Sequence, residues 1–227
     1  MKRPALPLML LILASIFLLF LLNLLLGSVH IPFGKIWELL WGPGAASNPY
    51  TMSNQEVIWS NILWKSRVPQ ALTALVAGAG LSVSGLQMQT VFRNPLAGPS
   101  VLGISSGASL GVACVVLLSG AMGGVALSRL GYMGEVALSV AAIIGALSVM
   151  ALIVYVSQKV KGNVTLLIIG VMIGYVASAV IGVLKYFSVE EDIRAYVIWG
   201  LGSFARVSGD QMLLFVCIMA VLLPLSF

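Results

Sequence analysis

Charge is what this chain has least of. Only 8% of its 227 residues are Asp, Glu, Lys or Arg, against about 25% in soluble globular domains, so a water-facing shell cannot be built from them. Histidine is down to one residue, His30, and no H-E-x-x-H occurs, which excludes zinc-peptidase chemistry of that kind. No G-x-x-x-x-G-K-[ST] phosphate loop is present either. The chain therefore does not hydrolyse ATP by that route, and any nucleotide-driven work falls to a partner. Its two cysteines, Cys114 and Cys217, each sit in an apolar run and offer neither a disulfide framework nor metal-ligand spacing. We expect no catalytic residue, cofactor or metal. Acids inside the apolar runs are also lacking, and Lys185 lies near the end of one, where it can snorkel. An ion-coupled secondary transporter needs such an acid, so that class is disfavoured. The formal charge of +5 is scattered singly or in pairs, without the basic-aromatic surface of a nucleic-acid binder.

What the chain does have is apolar length: 60% hydrophobic residues and a mean hydropathy of +1.08. This predicts an all-α, polytopic membrane bundle, since unsatisfied backbone groups in lipid force helices and the continuous apolarity argues against a barrel. Six spans are predicted, at Leu6–Leu26, Gln70–Phe92, Val101–Ser119, Val136–Ser157, Val164–Phe187 and Gln211–Phe227. The first is too long for a signal-peptide core, and Asn23 to Gly27 is a poor cleavage site, so it reads as a retained helix.

A cytoplasmic N-terminus places Lys2, Arg3, Arg93, Lys159 and Lys161 inside and all seven acidic residues outside. Lys65 and Arg67, just ahead of the second span on the outer side, run against that rule and call for a reason. The segment 28–66 is too polar to span. Its Trp37, Trp41, Trp59 and Trp64 suit the outer interface, and Pro43, Gly44, Asn48 and Pro49 punctuate it as loop. The segment 188–210 reads as an external loop with a short helix at Glu190, Glu191, Asp192 and Arg194, then a Gly-rich turn.

Small residues recur every fourth position: Gly103, Gly107 and Gly111 in the third span, Ala137, Ala141 and Gly145 in the fourth, and Gly170, Gly174, Ser178 and Gly182 in the fifth. Each ladder lines one helix face and admits a close neighbour. Packing alone accounts for them. Lining a pathway is the further reading, strongest for the fifth span. Gly103-Ile104-Ser105-Ser106-Gly107 matches the G-x-S-x-G of serine hydrolases. It opens a predicted helix instead of following a strand, however, and the only histidine lies at the far end of another span.

The run from Phe92 through Arg93, Asn94, Pro95, Leu96 and Ala97 to Leu102-Gly103-Ile104-Ser105-Ser106-Gly107-Ala108 resembles the signature of the FecCD/BtuC-type permeases. These are the membrane subunits of ABC importers for iron-siderophore complexes, haem and vitamin B12. The resemblance extends from about Arg67, through Arg67-Val68-Pro69-Gln70, Gly78 and Gly85-Leu86-Gln87-Met88-Gln89, to Trp199-Gly200-Leu201-Gly202-Ser203-Phe204. It implies a single permease domain over 1–227 in the cytoplasmic (inner) membrane of a bacterium, in contact with lipid. It further implies a second permease copy, in a homodimer or heterodimer, a cytoplasmic ABC ATPase and an extracytoplasmic substrate-binding protein. Transport would proceed by alternating access at the permease-permease interface, with the fifth span contributing to the pathway.

Arg67 matches the first arginine of the family's R-x-P-R element and would dock the binding protein, while Gln70 replaces the second. Arg93, Asn94 and Pro95 would form a cytoplasmic turn. The family has ten helices and this sequence predicts about six, so it reads as a truncated copy. A non-transporting remnant or membrane scaffold is the alternative.

Overall fold

The computed structural model describes residues 5–41, 53–121, 132–160, 162–205 and 207–226. Lys2, Arg3, Pro43, Gly44, Asn48, Pro49, Lys161 and Phe227 lie outside the described residues. The described residues are all helical or connecting: α1 Ala5–Leu25, α2 Phe33–Trp41, α3 Asn54–Ile62, a π-helical stretch Leu63–Arg67, α4 Val68–Phe92, α5 Ile104–Ala121, α6 Tyr132–Ser157, α7 Asn163–Tyr186, α8 Glu190–Leu201 and α9 Gly209–Leu225. Each expected span coincides with a helix. Leu6–Leu25, Asn54–Phe92, Met133–Ser157 and Val164–Tyr186 are long and apolar enough to cross a membrane, whereas Ile104–Leu118 and Gly209–Leu225 are shorter apolar helices. The fold is a polytopic helical bundle.

The chain separates into two compact units, Met1–Gly80 with Phe204–Phe227, and Leu81–Ser203. In the first, α1 is Leu-rich and exposed almost all round, which suits a helix whose solvent is lipid. Leu24, Ile31, Ile36, Leu39, Leu63 and Ala71 form the core of this unit. Helix α2 buries Ile36 and Leu39 and turns Phe33, Trp37 and Trp41 outward at every fourth position. Ser53 starts α3 with a capping box, its hydroxyl accepting from the Glu56 amide while the Glu56 carboxylate accepts from the Ser53 amide.

The π-helical stretch has a local cause. Buried Pro69 has no N–H to donate one turn back, and just ahead of it the ladder widens so that the Val68 amide reaches the Leu63 carbonyl. The polar approach and the second span therefore run as one helical rod from Asn54 to Phe92, where the sequence suggests separate pieces.

In the second unit α5 is central and packs on α6, α7 and α8. Phe92, Ala97, Leu102, Val149, Ile153 and Leu167 make one cluster. Val112, Ala113, Val116, Leu117, Ile181 and Tyr196 make another. Helix α5 begins at Ile104 and not at the expected Val101. Gly103, at φ 72°, is left-handed, which ends the preceding turn there.

Candidate functional site

The small-residue ladders divide into two kinds of environment. On α5, a Cβ at Gly107 would lie 2.7 Å from the Gly145 carbonyl oxygen of α6, and one at Gly111 would strike the Ala141 carbonyl. On α7, a Cβ at Gly170 would meet the Leu102 Cα at 2.8 Å, and one at Gly174 would meet Ser106 Oγ at 3.3 Å. Gly103 faces the Gly170 carbonyl so closely that its Cβ would sit 2.7 Å from that oxygen. Those of Gly103, Gly107, Gly111 and Gly170 are backbone-to-backbone seats, whereas Gly174 rests on the Ser106 side chain. Gly182 differs, having nothing within 4 Å of an added Cβ, and Ser178 is exposed.

Beyond the last close seat, α5, α7 and α8 part to leave an open cavity of about 360 Å³. Helix α5 contributes Ser105, Ser106 and Ser109, helix α7 contributes Ser178, Gly182 and Lys185, and helix α8 contributes Tyr196. Helix α8 reaches the cavity because it turns back against α5. Ser188 donates from its hydroxyl to the carbonyls of Leu184 at 2.6 Å and Leu117 at 3.2 Å, pinning the corner between α7 and α8. The Lys185 ammonium lies 4.7 Å from the centroid of the Tyr196 ring. Burial pushes the Tyr196 phenol above its ordinary value, with a Ser109 hydrogen bond acting the other way. In the first turn of α8 burial raises the Asp192 carboxyl, helped by neighbouring Glu191. Its Oδ2 is buried without a hydrogen-bond partner.

Ser105 lies in the first turn of a helix that follows a turn and not a strand, so the elbow geometry of a hydrolase is missing. Among the described residues no group of three or more His, Cys, Asp or Glu could hold a metal.

Arg67 is only 6% exposed. Its Nη1 donates to the carbonyls of Leu24 at 2.6 Å and Leu25 at 3.2 Å, and its Nη2 donates to Val29. Two of the acceptor groups that α1 leaves unpaired at its end, and a third in the segment that follows it, are thereby satisfied by one guanidinium. The Arg67 charge is thus occupied within its own unit, while Lys65 beside it is exposed. Gln70 donates to the Ser66 hydroxyl at 2.8 Å.

The Arg93-Asn94-Pro95 turn is a Schellman cap on α4. The Asn94 amide donates to Gln89 at 3.2 Å and the Arg93 amide to Thr90 at 3.3 Å. Arg93 occupies the left-handed position at φ 49°, the sole non-glycine with positive φ among the described residues. Asn94 Oδ1 then accepts from the Leu96 amide at 3.0 Å, an Asx turn that releases the chain toward α5.

The spacing by four marks the glycines of these seats, and Asn94-Pro95 marks the turn. The Arg67 cap and the cavity carry no such mark. Lys185, Tyr196 and the α5 serines are separated by up to 91 positions, and no local pattern joins them.

Residues 12–227 match the model of the FecCD transport family. The vitamin B12 import system permease protein BtuC of Escherichia coli O6:H1 (strain CFT073) is 35% identical over 161 residues, 71% of this chain and 46% of that protein. The BtuC of Pectobacterium atrosepticum is 34% identical over 164 residues, 72% of this chain and 46% of that one. A solved inward-facing structure of a metal-chelate type ABC transporter superposes with a TM-score of 0.62 at 27% identity, covering 92% of this chain and 59% of that chain. The chain spans about half the length of the curated relatives it matches.

Proposed function

This chain belongs to the FecCD transport family, and from that premise we propose that it acts as the permease subunit of an ABC importer. The match over residues 12–227 carries the reading. The glycine seats of α5 against α6 and α7 support it mechanically, because helices in backbone contact can tilt or slide without first unpacking large side chains. In this reading residues 1–227 belong to a permease domain, multi-pass in a bacterial cytoplasmic membrane with its N-terminus inside. Segments 28–66 and 188–210 lie outside, and the Arg93-Asn94-Pro95 turn lies inside.

The chain itself performs no ATP hydrolysis. A cytoplasmic ABC ATPase drives alternating access, a second permease copy completes the pathway, and an extracytoplasmic binding protein delivers the cargo. The likeness to vitamin B12 permeases and to a metal-chelate type transporter supports a bulky metal chelate as cargo, with cobalamin first and iron-siderophore and haem in the same class. The exposed half of the α7 ladder, Ser178 and Gly182, is the part we assign to the pathway, while Gly103, Gly107, Gly111, Gly170 and Gly174 serve packing. Docking of the binding protein we place at the α1–α4 corner, with Arg67 ordering that surface and Lys65 supplying exposed charge.

The test is co-purification of the chain with its ATPase and binding protein, followed by size-exclusion chromatography and an ATPase assay. A complex whose hydrolysis rises with cargo-loaded binding protein is the expected result. No association under conditions where a related permease assembles would overturn the proposal.

A further inference from the structure

Resting on the permease reading above, we propose that the cavity between α5, α7 and α8 is a binding subsite for an anionic oxygen group, a carboxylate or a phosphate. Lys185 supplies the charge, and the α5 serines with Tyr196 supply the hydrogen bonds. The inventory of its wall points one way. Lys185 brings up to three N–H donors and no acceptor, and its ammonium is steered by the Tyr196 ring at 4.7 Å. Among the described residues Lys185 has no carboxylate partner.

The hydroxyls divide cleanly. Ser178 already donates to the Gly174 carbonyl at 2.9 Å, and its proton is spoken for. The Tyr196 and Ser109 hydroxyls line the same wall. The Ser105 and Ser106 hydroxyls take no hydrogen-bond partner among the described residues. The wall is therefore rich in donors and contains no acid. A cation would meet Lys185, and an apolar group would leave these donors unpaired. An anionic oxygen satisfies both conditions through charge-assisted hydrogen bonds.

Room is also present. The cavity is about 360 Å³, several times the roughly 30 Å³ share of one water, and Gly182 leaves open space on the same wall as Lys185. A carboxylate or phosphate arm of a larger molecule fits while the rest stays outside. Two sources share this chemistry, the cargo's acidic arm and a phospholipid headgroup.

The probes are sodium phosphate and sodium acetate, with sodium chloride at matched ionic strength as control. The purified chain is reductively ¹³C-methylated so that each lysine gives an NMR signal, and the Lys185 signal is identified by its absence in Lys185→Arg. We expect that signal to move saturably with phosphate and acetate while the Lys159 signal drifts as it does in chloride. Ser105→Ala combined with Ser106→Ala should weaken the apparent affinity about tenfold, the equivalent of one charge-assisted hydrogen bond.

Detergent and phosphatidylglycerol nanodiscs separate the sources. A Lys185 signal already displaced in nanodiscs and insensitive to added phosphate identifies the headgroup, whereas equal titration in both media identifies a soluble ligand. Either result supports the subsite. A Lys185 signal that moves no more than that of Lys159 in either medium overturns it. The measurement uses neither ATPase nor binding protein, so its failure is separable from failure of the permease assignment.

Discussion

Gly107 of α5 and Gly145 of α6 meet backbone to backbone, so that a methyl group at Gly107 would lie 2.7 Å from the Gly145 carbonyl oxygen and 3.0 Å from Val149 Cβ. Gly107→Val should lower thermal stability by about 1–3 kcal/mol, the range for overpacking a close interface. Gly182→Ala should leave stability unchanged or slightly raised, since it fills open space and removes glycine's helix penalty of about 0.5–1 kcal/mol. Melting curves of the two variants in the same detergent make the comparison. Equal losses in both would mean that the α5–α6 seat is not the tight contact described.

Arg67 closes the end of α1 through the carbonyls of Leu24, Leu25 and Val29. Arg67→Lys keeps the charge and loses the fork. It should speed amide hydrogen exchange through residues 24–30 nearly as much as Arg67→Ala. Gly27→Ala leaves Arg67 in place but sets a methyl 2.6 Å from its Nη2, and it should loosen the same segment. Protection unchanged in all three variants would contradict the capping role.

Arg93 holds a left-handed backbone position at φ 49° that costs a side-chain-bearing residue about 1–2 kcal/mol. Arg93→Gly should therefore stabilise the turn by roughly 1 kcal/mol. If that turn lies in the cytoplasm, the same variant should shift membrane topology toward inversion, because it removes a positive charge from a short inner loop. Thermal melting and a topology reporter fused after α4 read the two effects separately.

The α2–α3 junction should respond to pH from both sides. Lys35 donates to Glu56 at 2.7 Å and also pairs with Glu38 at 3.0 Å. The Lys35 hydrogen bond, with the Ser53 amide second, holds Glu56 below its ordinary 4.5. The Glu56 and Glu38 hydrogen bonds raise Lys35 above its ordinary 10.5. A depressed carboxyl contributes stability that is present above its unfolded value and lost as pH falls through the folded one. A raised amine contributes stability that is present below its unfolded value and lost as pH climbs through the folded one. Tryptophan fluorescence from Trp37 and Trp41 should therefore be flat between about 4.5 and 10.5 and change outside that window. Glu56→Gln should remove its part of the acid limb. An acid limb untouched by that change would assign the transition elsewhere. Both groups are solvent-facing, so the effect should shrink in high salt.

The helices were legible because apolar runs of membrane-spanning length have one structural answer in lipid. The four-residue spacing of Gly103, Gly107 and Gly111 also told which face packs. It did not tell that the α7 ladder changes character between Gly174, which is packed, and Gly182, which is open, because a glycine reads the same whether it admits a neighbour or leaves a gap. The single rod through Pro69 was hidden for a related reason. Proline signals a break, and the π-helical stretch ahead of it absorbs that break without ending the helix. Arg67 advertised its charge but not its partners, which are backbone carbonyls about 40 positions away and carry no sequence signature. The cavity needed α8 to fold back on α5, a long-range event that composition does not record.

In the transport cycle we propose, the Ser178 to Gly182 face of α7 borders a pathway whose access alternates. Cysteine labelling tests it most directly, with Gly182→Cys introduced after Cys114 and Cys217, both exposed, are replaced by alanine. In the assembled transporter in proteoliposomes, a membrane-impermeant maleimide should label this position in the nucleotide-free or the ATP-trapped state but not equally in both. Equal labelling in the two states, or none in either, would contradict the account.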